Sequence, residues 1–235
     1  MQKFGPQLLL FLILFVSHKS VLADEWLYSV TPYVWGSSVD GEAGIRGRTT
    51  SIDTDFADII EFVDSGLSFN LQATNGTWSP HIDVFFVELE DSFDLPAATV
   101  GAELEQFVVE AGTGYRIRQD TDLLFGLRHQ EIDLEVDFAR IPNASRNKSW
   151  VDPFIGIRLR KDLSRQWDLT IRGDIGGFGI DSDLTLNLIV AGGYRFRENL
   201  KGFLAFRAFD TDFDDDGFIY DTTLFGLGAG LRFEF

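Results

Sequence analysis

The chain ends in LFGLGAGLRFEF (Leu224–Phe235), and in this stretch apolar residues occupy every second position. Because successive side chains of a β-strand point to opposite faces, one face of this segment is wholly apolar, while the other is mostly glycine and charge. The apolar face consists of Phe225, Leu227, Ala229, Leu231, Phe233 and Phe235. The segment therefore predicts an amphipathic terminal strand, and the rest of the sequence has to decide which face meets which surroundings.

The same alternation recurs along the chain, whereas helical periodicity is weak. It predicts ten strands, at 26–39, 65–74, 77–90, 100–117, 121–138, 149–162, 166–176, 183–197, 200–211 and 218–235. The connections alternate between short polar breaks, such as Asn75–Gly76, and longer polar segments, such as 40–64 and 212–217. An even number of antiparallel strands, with short turns at one end and long loops at the other, is typical of bacterial outer-membrane barrels.

We therefore predict an all-β fold: a closed, antiparallel, up-and-down transmembrane β-barrel of about ten strands, with short periplasmic turns and long extracellular loops. Eight or twelve strands are the alternatives, because the segment 40–64 has room for a hairpin or a short helix. The alternation changes register near Arg128–Glu131 and again within the strand at 77–90. Each change predicts a β-bulge.

The first 23 residues have the pattern of a cleaved signal peptide, which leaves residues 24–235 as one barrel domain. Lys3 supplies the positive charge, Leu8–Val16 the apolar run, and Val21–Ala23 a small-residue cleavage site. The apolar run is too short for a membrane-spanning helix, which needs about 20 residues. The chain has no cysteine and a formal net charge of −17. Nucleic acid is therefore excluded as a partner, because phosphate binding requires clustered Lys and Arg.

Alternation also fits a soluble lipocalin-like barrel, in which the apolar face points inward. Two features favour lipid on the outside. Glycines recur on the polar strand faces, where a narrow lumen needs small residues. Aromatic residues concentrate near the predicted short turns, as in the aromatic girdle of a membrane barrel. These aromatic residues are Trp26, Tyr28, Trp78, Tyr115, Trp167, Tyr194, Phe196, Phe233 and Phe235.

Both ends of the mature chain resemble known outer-membrane proteins. Phe235, preceded by Phe233 and Leu231, resembles the C-terminal signature of outer-membrane barrels, which implies recognition by the barrel-assembly machinery. The start, WLYSVTPYVWG (Trp26–Gly36), resembles small outer-membrane β-barrel proteins of Gram-negative bacteria, in the OmpA, OmpW and porin-like superfamily. The resemblance implies an outer-membrane location with both termini in the periplasm, and lipid and lipopolysaccharide as partners. It implies no substrate or oligomeric state.

Charged residues on the polar faces are predicted to meet at mid-depth in the lumen. Ionised groups in a narrow lumen are costly unless they are paired, so we expect Arg–carboxylate pairs that fill the barrel. The predicted members are Asp83, Glu110, Arg128, Arg172, Asp174 and Arg207. A filled barrel implies a structural or surface-binding role. The first alternative is a narrow porin-like channel in which these charges select small polar or anionic solutes.

A barrel enzyme that modifies lipid or cleaves protein is the second alternative, and it is the weaker one. His81 and His129 are the histidines of the mature chain, and His129 has Glu131 and Asp133 nearby in sequence. No sequence motif of a barrel enzyme is recognised. We predict that both histidines are ordinary polar strand residues and assign no catalytic residue.

The segment DTDFDDDG (Asp210–Gly217) matches the first half of a calcium-binding loop through Asp212, Asp214 and Asp216. The twelfth position of the motif is Thr223 instead of a bidentate glutamate. We therefore favour an acidic surface loop and otherwise predict no cofactor. The remaining expectation is that acidic outer loops share Ca²⁺ or Mg²⁺ with lipopolysaccharide.

Overall fold

The computed structural model describes residues 26–45, 48–54, 68–95, 98–138 and 144–235. The described part consists of eleven β-strands joined by turns and bends. The strands are β1 (Leu27–Ile45), β2 (Arg48–Thr54), β3 (Ser68–Thr74), β4 (Trp78–Leu95), β5 (Ala98–Arg118), β6 (Thr121–Phe138), β7 (Ala144–Asp162), β8 (Trp167–Gly177), β9 (Leu184–Arg197), β10 (Leu200–Asp215) and β11 (Phe218–Glu234). Among these residues, no helix is long and apolar enough to cross a membrane.

The strands form one antiparallel sheet in which every strand pairs with its neighbours in sequence, except that β2 and β3 both pair with β1 and not with each other; β11 also pairs with β1 and so closes the sheet. The closing seam runs from Ser29 opposite Glu234 to Ile45 opposite Phe218. At its base, Tyr28 and Phe235 exchange two backbone hydrogen bonds of 3.2 and 2.9 Å. The predicted closed, ten-strand, up-and-down barrel is confirmed.

Eleven strands make a ten-strand barrel because β2 and β3 share one position in the wall. β1 pairs with β3 along Leu27–Tyr33 and with β2 along Val39–Ile45. Within the segment 40–64, residues 40–45 thus continue β1 and residues 48–54 form β2, which pairs antiparallel with β1. Residues 55–64 of this segment, where the short helix considered above would have room, lie outside the described residues.

In the half of the barrel that carries the short turns, apolar side chains point outward and polar ones inward. Leu188 is 44% exposed, whereas its neighbour Asn187 is 2% exposed. The predicted aromatic residues border this band at the short-turn end, where Trp167, Tyr194 and Phe196 contact one another edge to face. This arrangement suits a wall with hydrocarbon outside and a polar lumen inside.

In the other half the apolar face turns inward, and both predicted bulges are wrong for this reason. In β6, Phe125 and Leu127 are exposed, but Ile132 and Leu134 are buried inside the barrel. The pairing of β6 with β5 and β7 continues without a shift through these residues. β4 behaves alike, from an exposed Ile82 to a buried Phe85. Beyond the lipid, water surrounds the wall, so the interior becomes the apolar side.

Several predicted long loops are instead continuations of strands beyond the membrane band. β10 and β11 extend to a two-residue turn at Asp216–Gly217, where φ is +50° and +74°. Two positive φ values are the requirement of a type I′ hairpin turn, which the Asp-Gly pair satisfies. At Asn75–Gly76 only Gly76 has a positive φ, +87°, so that turn is not type I′. The Asn75 side chain instead accepts hydrogen bonds from the amides of Thr77 and Trp78.

Candidate functional site

The structure brings the six predicted lumen residues together at mid-depth, in what we call the central network: Asp83, Glu110, Arg128, Arg172, Asp174 and Arg207. Its core is a ring of four side chains from β5, β6 and β8. Arg128 donates to Glu110 at 2.8 Å and to Asp174 at 2.5 Å. Arg172 donates to the same two carboxylates at 2.6 and 2.8 Å. Each of the two carboxylates thus binds two guanidinium groups, so the lumen contains buried Arg–carboxylate salt bridges.

Burial of this ring is nearly complete, so its charges depend on each other. Arg128 has no exposed surface, and Glu110 is 1% exposed. The Arg128 guanidinium also lies 5.0 Å from the ring of Phe154 and 5.1 Å from that of Phe209, on the electron-rich faces that attract cations. Charges withdrawn from water this far are tolerated when each has several close partners, as here.

A looser arm of the network reaches the wall formed by β3 and β4. Arg207 donates to Asn187 at 3.1 Å and to Asp83 at 3.5 Å. Asp83 also accepts hydrogen bonds from Tyr33 at 3.2 Å and from Asn70 at 3.3 Å. Asn187 joins the arm to the ring because its amide donates to Asp174 at 2.9 Å. The network thus spans the lumen from one wall to the other.

The two histidines lie on opposite faces of the wall. His81 points into the lumen, is 5% exposed, and its Nε2 lies 2.9 Å from Glu110. His81 Nδ1 is buried and has no hydrogen-bond partner among the described residues. His129 lies half-buried on the outer face of β6, the same face as Glu131 and Asp133, but among the described residues no hydrogen bond or ion pair joins it to either acid.

On the long-loop side of the central network the barrel is packed with apolar side chains. The lower apolar cluster consists of Trp35, Val39, Phe85, Val87, Val108, Phe209 and Leu224. The upper apolar cluster consists of Ala43, Leu104, Ile132, Leu134, Trp150, Phe213, Phe218 and Tyr220. Gln106 accepts a hydrogen bond from Tyr220 of the upper cluster at 2.9 Å and donates one to Gln130 at 3.2 Å. In the upper cluster, Trp150 stacks on Phe213 at 4.0 Å between ring centres.

On the short-turn side the lumen instead contains a cavity of about 170 Å³. The end of the cavity next to the central network is lined by Arg172, Arg207 and His81. The opposite end is lined by Lys201 and Asp168, each of which is the second residue of its strand. The cavity therefore reaches from the central network to the short-turn end of the barrel.

A second group of charges, the mouth cluster, surrounds the short-turn end of this cavity: Arg116, Asp122, Arg158, Arg160, Asp168, Lys201 and Arg232. Three arginines converge on the single carboxylate of Asp122: Arg116 at 2.5 Å, Arg158 at 2.9 Å and Arg160 at 2.6 Å.

Gly114 makes room for this convergence. A Cβ atom at Gly114 would stand 3.0 Å from Arg158 Nη2 and 2.5 Å from Ser79 Oγ. Those two atoms are themselves hydrogen-bonded at 2.6 Å. Here a glycine on the lumen face has an identifiable structural reason.

The remaining predicted site residues lie on the outer surface or at the long-loop end. Asp212 and Asp214 sit on the outer face of β10, and Asp216 lies in the turn that follows. Within the described ranges no three acidic or histidine side chains are grouped closely enough to hold a metal ion. Phe235, Phe233 and Leu231 lie on the outer face at the base of β11 and are 73%, 37% and 43% exposed.

Comparison with known proteins places the fold. No family model matches the chain, and no curated protein matches it in sequence. The outer-membrane protease OmpT of Escherichia coli is similar in structure, with a TM-score of 0.50, 11% identity, and coverage of 92% of this chain and 99% of OmpT. The chain has the fold of a small outer-membrane β-barrel protein. This likeness shows the fold alone, and it carries no activity over.

Weaker likenesses come from barrels of other Gram-negative bacteria. The attachment invasion locus protein Ail of Yersinia pestis, solved with a heparin analogue, gives a TM-score of 0.42 at 10% identity and covers 89% of this chain and 98% of Ail. The translocator domain of the autotransporter NalP of Neisseria meningitidis gives 0.42 at 9% identity, with 88% of each chain covered.

Proposed function

We propose that this outer-membrane barrel is non-conducting and has a structural or surface-binding role, with its short turns and both termini in the periplasm. The burial of Arg128 between Glu110 and Asp174 carries the proposal. A guanidinium held from both sides at the centre of the lumen leaves no path for hydrated ions, and the two apolar clusters extend the obstruction beyond it.

The experiment is conductance of the purified barrel in a planar lipid bilayer. We expect the native protein to give no stable open level. The paired variant Arg128→Ala, Phe209→Ala removes two side chains that contact each other in the centre of the lumen and should give measurable openings. Stable conductance steps from the native protein would contradict the proposal, and they would support the narrow porin-like channel.

The narrow channel is the second candidate because one half of the lumen does contain a cavity lined by arginines. Its weakness is the apolar packing above that cavity. If ions pass, conductance should change when Arg172 or Arg207 is replaced by Gln, since both border the cavity at its inner end.

Recognition of the last strand by the barrel-assembly machinery is a further part of the proposal. The exposed Phe235 side chain at the base of the wall is available to another protein or to lipid. We expect Phe235→Ala to lower the amount of folded barrel in the outer membrane and to increase periplasmic degradation. Normal levels of heat-modifiable barrel would argue against this role.

Lipopolysaccharide is the proposed partner of the outer surface, through shared Ca²⁺ or Mg²⁺. The support is an acidic collar on the outer face above the apolar band: Asp40, Glu42, Glu88, Glu105, Glu131, Asp133, Asp210, Asp212, Asp214 and Asp221. Chelating divalent cations should loosen the association of native barrel with lipopolysaccharide in co-purification. An association that is unchanged by chelation would remove the cations from the proposal.

A further inference from the structure

The two groups of lumen charges differ in balance. The central network contains three arginines and three carboxylates, so its formal charges cancel. The mouth cluster contains five cations and two carboxylates, which leaves an excess of three positive charges. The only other ion pair found at this rim among the described residues, Arg195 with Glu234 at 3.3 Å, adds no net charge. This excess occurs in a chain whose formal net charge is −17.

Arg232 is the cation with the fewest partners. It lies on the lumen face of β11 and lines the cavity. Its Nε donates to Thr31 Oγ1 at 3.3 Å, and within the described ranges no carboxylate oxygen lies within 4.0 Å of its guanidinium. A guanidinium presents donors in a planar fork suited to phosphate and carboxylate groups.

The cavity brings Arg232 together with further donors. The same space is lined by Lys201, Arg158 and Arg207. Lys201 Nζ also forms an ion pair with Asp168 Oδ1 at 2.8 Å. Apolar walls, among them Phe203 and Ala205, lower the local dielectric and so strengthen the attraction of an anion to these cations. At about 170 Å³ the cavity is smaller than the roughly 300–1,000 Å³ that is typical of sites for larger organic ligands. Its size therefore suits a compact ligand.

We propose that the cavity at the short-turn end is a binding site for a small, multiply charged oxyanion, with Arg232 and Lys201 as its principal ligands. Inorganic phosphate is the simplest ligand of this class. The anion would reach the site from the short-turn side and stop at the central network. The site goes beyond the structural role proposed above and does not depend on it, because a conducting lumen with the same cations could also hold an anion.

The test is isothermal titration of the full-length barrel in detergent with inorganic phosphate, and separately with succinate, at constant ionic strength. We expect saturable binding of phosphate. Arg232→Gln should weaken it about tenfold or more, the loss expected for one charge-assisted contact. The matched control Arg197→Gln removes the same charge from an exposed residue at the same rim outside the cavity, and it should leave the affinity unchanged.

Two further variants keep the test decisive. Lys201→Gln should also weaken binding, and it replaces Arg232→Gln if that variant lacks the heat-modifiable mobility of a folded barrel. Asp168→Asn removes a carboxylate that competes with the ligand for Lys201, so it should tighten binding.

Two results would overturn the proposal: no saturable binding of phosphate or succinate, or equal losses of affinity in Arg232→Gln and Arg197→Gln. Tight binding of succinate with weak binding of phosphate would keep the oxyanion site and assign its ligand to the dicarboxylates. The bilayer experiment reports on conduction separately, so either proposal can fail alone.

Discussion

The central network and the mouth cluster are built from the same residue types, yet they solve different problems. Arg128 is fully buried and contacts two carboxylates, whereas Asp122 collects three arginines, two of which have side chains about 30% exposed. Where water is excluded, every charge needs a counter-charge. Where water and dissolved ions can reach, an excess of one sign is tolerated, because solvent screens it. Balanced formal charge therefore marks the closed level of the lumen, and an excess of positive charge marks its accessible end.

The largest expected effect comes from breaking the balanced level. Arg128→Met keeps much of the side-chain volume but leaves Glu110 and Asp174 with only Arg172 as a guanidinium partner. We expect a loss of about 3–5 kcal/mol in the free energy of unfolding, the usual result of removing one member of a buried ion pair. Urea unfolding in detergent or lipid vesicles measures it.

The double variant Arg128→Met, Glu110→Gln is the control for this explanation. It removes the surplus negative charge that the single variant creates, so part of the lost stability should return. A double variant as unstable as the sum of its single substitutions would show that charge balance is not what the central network requires.

A smaller effect is expected at the mouth cluster. Asp122→Asn removes the carboxylate shared by three arginines and should cost about 1.5–3 kcal/mol, as for hydrogen bonds to charged groups. Because Arg116 and Arg160 are partly exposed, added salt should restore part of this loss by screening their mutual repulsion. The cost of Arg128→Met should not respond to salt. The same salt response in both variants would remove the distinction between the two levels.

The smallest effect is expected in the acidic collar, which has one sign of charge but faces water. Glu105 lies 13 residues along β5 from its short-turn end, beyond the roughly 9–11 residues that cross the bilayer. Burial, together with repulsion from Glu88 and Asp133, raises the pKa of the Glu105 carboxyl. A raised pKa in the folded state means that the ionised carboxylate destabilises the fold as the pH rises through that pKa.

Glu105→Gln should therefore stabilise the barrel at neutral pH by only a few tenths of a kcal/mol, because the half-buried side chain lies on the outer face, where water and dissolved ions screen its repulsion from Glu88 and Asp133. The gain should disappear below the ordinary pKa of a glutamate, where the carboxyl is protonated in both folded and unfolded states. Melting temperatures of the two proteins at neutral and acidic pH measure it. A gain that persists in acid would show that repulsion is not its source.

Strand parity, meaning which of the two alternating faces of a strand a residue occupies, was enough to predict the barrel and the six members of the central network. Parity assigns a residue to a face, and counting from a predicted turn assigns its depth. Together they predict that Arg128 and Asp174 meet in the lumen. Parity does not reveal what surrounds a face. The inward-facing Ile132 and Leu134 shift the apolar positions in the sequence just as a bulge would, so the alternation alone does not distinguish the edge of the lipid from a bulge.

The mouth cluster was missed although it obeys the same rule. Arg158, Arg160 and Asp122 lie on the lumen faces of their strands, but close to the short-turn end and not at the mid-depth where lumen charges are expected to need partners. Convergence of Arg116, Arg158 and Arg160 on Asp122 depends on the register between three strands, which sequence alone does not fix. The Asp216–Gly217 turn was predictable from its residues, because an Asp-Gly pair favours the two positive φ values of a type I′ turn.

The central claim, that the lumen opens only toward its short-turn end, is tested most directly by thiol labelling, because the chain contains no cysteine. Ala205→Cys places a thiol in the cavity wall below the central network. A charged maleimide too large for porins should not label it on intact cells, and should label it once the periplasm is opened to the reagent. Labelling on intact cells would contradict the account.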